Sequence, residues 1–270
     1  MNRQPTISVV ITVKGKSSTL EKAIHGFLNQ TIPAHELIVV SDNTPFTDKN
    51  RSGVKRVKYI GEKNSARNKG FLVSKGEYIL FSDHDMIPNS NLLKECLSLL
   101  PQYDALIIPE AGSPQGSFLQ RIYSLEKELV SDDPDALTPR LFRKSLFSSQ
   151  DLPFDSRFGV LDEWGFNLKL KNKHPRIGIV QSFMTVEDHL NLFARMKKNF
   201  QKGRVINKLL ADDSQEASRR INPITRGIIF YGKRLPRLFQ KPFEFSGLLF
   251  IKFLDLLSFY AGYMVSFLKT

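Results

Sequence analysis

A single cysteine, Cys96, in 270 residues leaves no pair to oxidise, so no disulfide framework holds this chain together. No G-x-G-x-x-G follows the first apolar run, which removes the phosphate loop of a dinucleotide-binding domain. Neither an arginine-rich arm nor a zinc-finger spacing is present, so nucleic acid is not an expected partner. The N-terminal M-N-R-Q-P carries no apolar stretch; no secretory signal is expected, and the protein is placed in the cytoplasm. Acid is in short supply as well, with 27 Asp and Glu against 39 Lys and Arg and a net charge of +12. That excess asks for an anionic partner, either a phosphorylated small molecule or anionic lipid. Internal repeats and low-complexity tracts are missing too.

What is present begins with unbroken apolar runs. Ile7 to Val13 (I-S-V-V-I-T-V) reads as a buried strand. Ser18 and Glu21 have the spacing of a capping box, and Leu20, Ile24, Phe27 and Leu28 repeat at helical spacing after it. Glu36 to Asp42 is a second strand with an acid at its end, so about thirty residues spell a β-α-β unit and a parallel sheet. Residues 43–53 are a polar loop, Val54 to Ile60 a more exposed strand, and Asn64 to Gly70 opens a short helix. Arg67 in that helix is either a solvated residue or a clamp for pyrophosphate oxygens.

Tyr78 to Phe81 is apolar without interruption, as in a strand covered on both faces, and S-D-H-D follows at its carboxyl end, with Pro88 expected to stop the pairing. Open α/β sheets hold ligands beyond the carboxyl ends of their strands. If the backbone stays extended, Asp83 and Asp85 point the same way, and two such carboxylates suit a hard divalent cation, Mg²⁺ or Mn²⁺. The alternative is a polar turn before the next helix, with Asn89 or Ser90 as its N-cap. Leu92 to Leu100 is that helix, Asp104 to Pro109 a short strand, and Ser117 to Val130 a further helix. Ser131 to Pro139 has the composition of a mobile lid.

Asp162, Glu163 and the only Trp open a helix over 161–170. The acids either complement the helix dipole or supply a general base beside an apolar wall. Ile177 to Phe183 reads as the last strand, with His189 soon after it. The tail changes character: a basic helix from Leu190 to Gly203, more cations between Arg219 and Lys241, then an apolar stretch from Phe243 to Leu268. Lys252, Asp255, Ser258, Gly262, Ser266 and Lys269 mark a narrow polar stripe on it. Lys252 and Asp255 deny it the run of about 18 uncharged residues of a spanning helix. Membrane-surface insertion is the expectation, against packing on the rest of the chain or a helical hairpin that makes a homodimer.

In order along the chain, S-V-V-I-T-V-K-G, I-V-V-S-D-N, N-S-A-R-N-K-G, S-D-H-D, F-D-S-R-F and D-E-W-G-F-N-L-K-L resemble the motifs of the family 2 inverting glycosyltransferases over roughly residues 6–205. The resemblance implies a GT-A fold, an α/β architecture with a mostly parallel sheet flanked by helices. It divides the chain into a catalytic domain over 1–205 and a basic, apolar helical region with amphipathic helices over 206–270. It also implies a nucleotide-sugar donor, UDP- or GDP-linked, contacted by Thr12, Val13, Asp42, Arg67 and Asp83. Mn²⁺ or Mg²⁺ would be held by Asp85, Asp83 and His189. Glu163 or its neighbour Asp162 would act as base on a hydroxyl of a glycan or polyprenyl-linked acceptor, at the cytoplasmic face of a membrane. Thr12 and Lys14-Gly15 depart from the Pro and Tyr-Asn usual in the first motif. The rival readings are a nucleotidyltransferase of related fold and a non-catalytic membrane-bound scaffold.

Overall fold

Seven consecutive apolar or β-branched positions leave Ile7–Val13 (β1) no solvent face, and all seven are buried. This computed structural model describes residues 4–42, 53–112, 116–131, 133, 137–187, 191–212 and 234–268. The loop expected over 43–53, the lid over 131–139 and the basic stretch over 219–241 lie partly outside the described residues, and His189 and Lys269 lie wholly outside them. By its contacts the chain falls into two units. The first comprises Met1–Ala111, Asp132–Ser156 and Phe166–Glu187; the second comprises Gly112–Ser131, Arg157–Gly165 and Asp188–Thr270.

In chain order the elements are β1, α1 (Leu20–Leu28), β2 (Glu36–Ser41), β3 (Val54–Lys58), α2 (Lys63–Val73), β4 (Tyr78–Asp83), β5 (Met86–Pro88), α3 (Leu92–Leu99), β6 (Ala105–Ile107), β7 (Glu110–Gly112) and α4 (Phe118–Val130). Then come β8 (Leu141–Arg143), α5 (Asp162–Lys171), β9 (Ile177–Ile179), β10 (Met184–Val186), α6 (Leu192–Asp212), α7 (Leu235–Phe239) and α8 (Pro242–Phe267). The described strands form a seven-stranded sheet in the order β3-β2-β1-β4-β8-β6-β9 and a smaller sheet, β5-β10-β7. β1 pairs parallel with β2 on one side and with β4 on the other, and β8 is the antiparallel member. This is the expected mixed α/β architecture, mostly parallel.

Alternation along the strands sends odd and even residues to opposite faces. Val9, Ile11 and Val13 of β1 join α1 and α3 through Leu20, Ile24, Phe27, Leu93 and Cys96. Val10, Ile38 and Ile79 meet α2 and α5 on the other face, with Phe81, Phe142, Phe154 and Phe166 in mutual ring contact. Gly70 is where α2 comes closest to the sheet; a Cβ there would run into Val10 Cγ1.

Four local expectations need correction. Ser18 and Glu21 make no capping box; the N-cap of α1 is Thr19, and Ser17 Oγ accepts from the Thr19 and Leu20 amides instead (3.3 and 3.2 Å). Pro88 does not end pairing, because β5 is the edge strand of the smaller sheet, paired antiparallel with β10, and an edge tolerates a missing N–H. The single strand expected over 177–183 is two: β9 extends the large sheet, and the chain turns before β10 enters the small one. Pro88 and Met184 lie opposite one another in that small sheet. Neither Asn89 nor Ser90 caps α3; its N-cap is Asn91.

In the second unit, α4 and α8 share an apolar cluster of Ile122, Leu125, Leu129, Leu248 and Ile251, joined by Leu238 of α7. Ser117 and Gln120 close the capping box that starts α4. Residue 205, the expected domain boundary, falls inside α6.

Candidate active site

The strand order reverses at β1: β2 and β3 lie to one side and β4 to the other. Such a switch point opens a crevice at the carboxyl ends of the strands. Register puts the expected residues there side by side. Thr12 is opposite Asp83 across β4 and opposite Val40 across β2, while Val13 is opposite Ser41, the residue before Asp42. Thr12 is only 5% exposed, and its Oγ1 finds no hydrogen-bond partner among the described residues. A buried hydroxyl in that state costs free energy unless a ligand or water completes it.

The Asp42 carboxylate accepts from the Gly15 amide at 3.2 and 3.1 Å, which ties the loop after β1 to the end of β2. Gly15 has φ of +71°, the left-handed region that suits glycine. Lys14-Gly15, where the family motif carries Tyr-Asn, is therefore a turn that closes on Asp42.

Arg67 is not a solvated helix residue. It is 2% exposed, donates from Nη2 to Asp83 Oδ1 at 3.0 Å and Oδ2 at 3.4 Å, and lies over the Phe154 ring at 5.1 Å. Lys63 Nζ reaches the same Oδ1 at 3.0 Å. Burial acts to raise the Asp83 pKa, but the charges of Lys63 and Arg67 overcome it and hold the carboxyl well below the usual carboxylate range. Two Asn residues of α2 fix the segment that carries Phe154. Asn68 Nδ2 donates to the Phe154 carbonyl (2.6 Å), Asn68 Oδ1 accepts from the Phe154 amide (3.1 Å), and Asn64 Nδ2 donates to the Asp155 carbonyl (3.0 Å).

The backbone does not stay extended from Asp83 to Asp85. β4 ends at Asp83, His84 and Asp85 form a turn, and Met86 starts β5 in the other sheet. The two carboxylates therefore do not share one strand face. The turn is anchored through His84, whose Nδ1 meets Ser17 Oγ at 2.9 Å and Thr19 Oγ1 at 3.3 Å. The Asp85 carbonyl accepts from the amide of Glu187, and Glu187 pairs with Lys22 at 2.6 Å. Asp85 itself is half-buried. Its oxygens are the ligand type a hard divalent cation takes, and Asp83 is already neutralised by two cations. Among the described residues no three His, Cys, Asp or Glu side chains are grouped to hold a metal.

Asp162 and Glu163 are both half-buried in the first turn of α5. The ring of Trp164 beside them has Lys202 Nζ at 5.9 Å. They belong to the second unit; Thr12, Val13, Asp42, Arg67, Asp83 and Asp85 belong to the first. Sequence reasoning missed Lys63, Ser17 and Phe154. Lys63 lies one helical turn before Arg67, the spacing that puts two side chains on one helix face, and that signal was available.

The model of the family described as "Glycosyl transferase family 2" matches residues 8–155, from β1 through the Phe154-Asp155 segment. This chain belongs to that family. The family 2 chain is 26% identical over 205 residues to the uncharacterized glycosyltransferase EpsJ of Bacillus subtilis (strain 168), which covers 64% of this chain and 58% of that protein. It is 27% identical over 181 residues to an uncharacterized glycosyltransferase of Rickettsia bellii (strain RML369-C), covering 58% and 25%. The family 2 chain thus spans less than two thirds of the length of either relative. Among solved structures it is similar to S. aureus TarS 1-349, with a TM-score of 0.57, 16% identity and coverage of 98% and 92%. The complex of TarS 1-349 with UDP-GlcNAc gives 0.54 and 15%, with coverage of 96% and 90%. At these identities the likeness is one of fold.

Proposed function

We propose that this chain moves a sugar from a nucleotide-sugar donor, UDP- or GDP-linked, to a hydroxyl of a glycan or lipid-linked acceptor, with inversion at the anomeric carbon. The observation that carries the reading is the edge where β1, β2 and β4 end, with Thr12, Asp42 and Asp83 together and Arg67 buried against Asp83. A structural neighbour crystallised with UDP-GlcNAc supports the donor class.

Asp42 and the Thr12 hydroxyl hold the nucleoside, and the Val13 backbone lines the same edge. Arg67 and Lys63 face the donor diphosphate from α2, with Asp83 keeping both cations in place. Asp85, with His189, would hold Mn²⁺ or Mg²⁺, whose charge lowers the barrier to departure of the nucleoside diphosphate, while Asp83, expected beside it, stays with Arg67 and Lys63. The amide that Glu187 donates to the Asp85 carbonyl lies two residues before His189 in the chain, which supports assigning that His to the same ion. Glu163, or Asp162, takes the proton from the acceptor hydroxyl as it attacks. One displacement needs no protein nucleophile. The enzyme works at a membrane surface on the cytoplasmic side, and α8 is a described helix long and apolar enough to cross a membrane by length and composition.

The test is a panel of nucleotide sugars with Mn²⁺, scored by release of nucleoside diphosphate and by the anomeric configuration of the product. Turnover that needs the metal and is lost in Asp85→Asn and Glu163→Gln is the expected result. Release of pyrophosphate instead would make the protein a nucleotidyltransferase, and no release from any donor would leave it a scaffold.

A further inference from the structure

Helix α8 has its polarity reversed with respect to an ordinary surface helix. Its polar stripe faces α4 and α6 in the second unit. Asp255 accepts from Arg195 Nε (2.8 Å), Arg195 Nη2 (2.5 Å) and Asn199 Nδ2 (2.6 Å), and Lys252 Nζ pairs with Glu126. Glu126 in turn accepts from Arg195 Nη1 and Nη2 at 2.8 and 3.0 Å. Farther along, Asn207 Nδ2 donates to Ser266 Oγ at 2.8 Å. Gly203 and Gly262 let the two backbones touch: a Cβ on either would collide with the Phe259 or the Phe200 carbonyl. The side turned away from α4 and α6 is aromatic and aliphatic. Phe243 is 80% exposed, Phe250 60% and Met264 64%, with Leu249, Phe253 and Leu257 also exposed. A helix built for water places such residues inside and its charges outside. A contiguous apolar face of this kind marks a surface with a partner.

We propose that the outer face of α8 lies in the headgroup–acyl boundary of an anionic bilayer. In this arrangement the Arg195–Glu126–Lys252–Asp255 cluster holds the polar side of the helix against α4 and α6, out of the lipid. The inference rests on the membrane location proposed above and names the surface and the lipid charge. Charge identifies the occupant. Lys197, Lys198, Arg204 and Lys208 are exposed on α6, whose only acid is Asp212, and residues 217–241 carry seven cations and no acid. Each cation near an anionic surface raises partitioning about fivefold. A two-fold pair of chains joined through α8 would bring two basic α6 helices together, which like charge opposes. Nor can α8 cross the bilayer alone, because the middle of it is bonded to α4 and to the strongly basic α6. It lies in the plane of the surface.

The test is flotation of the purified full chain with phosphatidylcholine vesicles, with and without phosphatidylglycerol. The chain should float with the anionic vesicles and much less with the neutral ones. Phe250→Ser combined with Phe253→Ser should cut partitioning about tenfold or more. Its thermal unfolding should be unchanged, since both side chains are exposed. A nitroxide at Phe253→Cys (Cys96 is buried) should become accessible to oxygen, and shielded from a water-soluble relaxant, only when vesicles are added. Equal flotation of variant and wild type, or an unshielded label, would overturn the proposal. So would a dimer that the double substitution dissociates and that binds no vesicles, since the face would then belong to a second copy. Donor turnover with a soluble acceptor in the same preparations separates the readings. Flotation without turnover strikes the transferase assignment, and turnover without flotation strikes this one.

Discussion

Replacing Arg67 with Met removes a cation that is 2% exposed and leaves Asp83, whose side chain is 14% exposed, with the Lys63 ion pair and the charge of Arg140. Breaking a buried pair by taking one partner costs about 3–5 kcal/mol. Lys63 is half-exposed and stays in place, so the expected loss sits at the low end, about 3 kcal/mol. Asp83 titrates below its unfolded value, so the pair contributes fully at neutral pH, and that stability is lost as the pH falls through the folded value. Without Arg67 the folded value rises, and the acid limb of unfolding moves to higher pH. Urea unfolding across a pH series measures both effects. Arg67→Met with Asp83→Leu completes a double-mutant cycle and should recover most of the loss, because an apolar pair leaves no buried charge behind. A single variant that loses less than about 1 kcal/mol, or a double variant less stable than the single, refutes the claim that this pair is a buried, mutually dependent unit.

Ser17→Ala removes the acceptor for the Thr19 and Leu20 amides and the closer partner of His84. A loss of about 1 kcal/mol in thermal or urea unfolding is expected, together with a drop in donor turnover larger than that loss explains. Gly70→Ala drives a methyl group into Val10 and should cost about 1–3 kcal/mol; adding Val10→Ala should return part of it, which a double-mutant cycle reads directly. Gly262→Leu separates α8 from α6 at the Phe200 carbonyl and should lower the melting temperature, with vesicle flotation falling alongside.

The elements most legible in the sequence were those whose signal is local. β1, β2 and β4 are continuous apolar runs because helices cover both faces of the sheet, and each was expected within a residue or two of its observed span. α3 followed from its periodicity in the same way, and α5 from the acidic pair at its start. What the sequence hid was set by tertiary contacts. A proline reads as the end of a strand, and only the neighbours of β5 reveal that it lies at an edge where proline is harmless. Ser18 and Glu21 have the right spacing for a cap, yet Ser17 takes that role because it is also held by His84, 67 residues on. The polar stripe of α8 was visible, but which side of the helix it would face was not. Arg67 shows the same limit: a lone arginine carries no sign of burial until α2 seats it against β4.

That seating also changes how the S-D-H-D segment divides its work. If both acids faced one way from a single strand, either could serve a metal, and the motif would be two interchangeable ligands. The turn at His84 and Asp85 instead separates them. Asp83 closes β4 and spends its charge on Arg67 and Lys63, whereas Asp85 lies in the turn itself and is half-buried. Substitution should therefore split the phenotypes. Asp83→Asn unpins the two cations, so it should lower stability and weaken the donor at every metal concentration. Asp85→Asn should shift the Mn²⁺ concentration needed for turnover while leaving the ion pairs of Asp83 with Arg67 and Lys63 in place. Titrating Mn²⁺ against turnover in the two variants, with urea curves beside them, decides the matter: matching metal shifts would mean that both carboxylates hold the ion and that the ion pairs around Asp83 open to let it in.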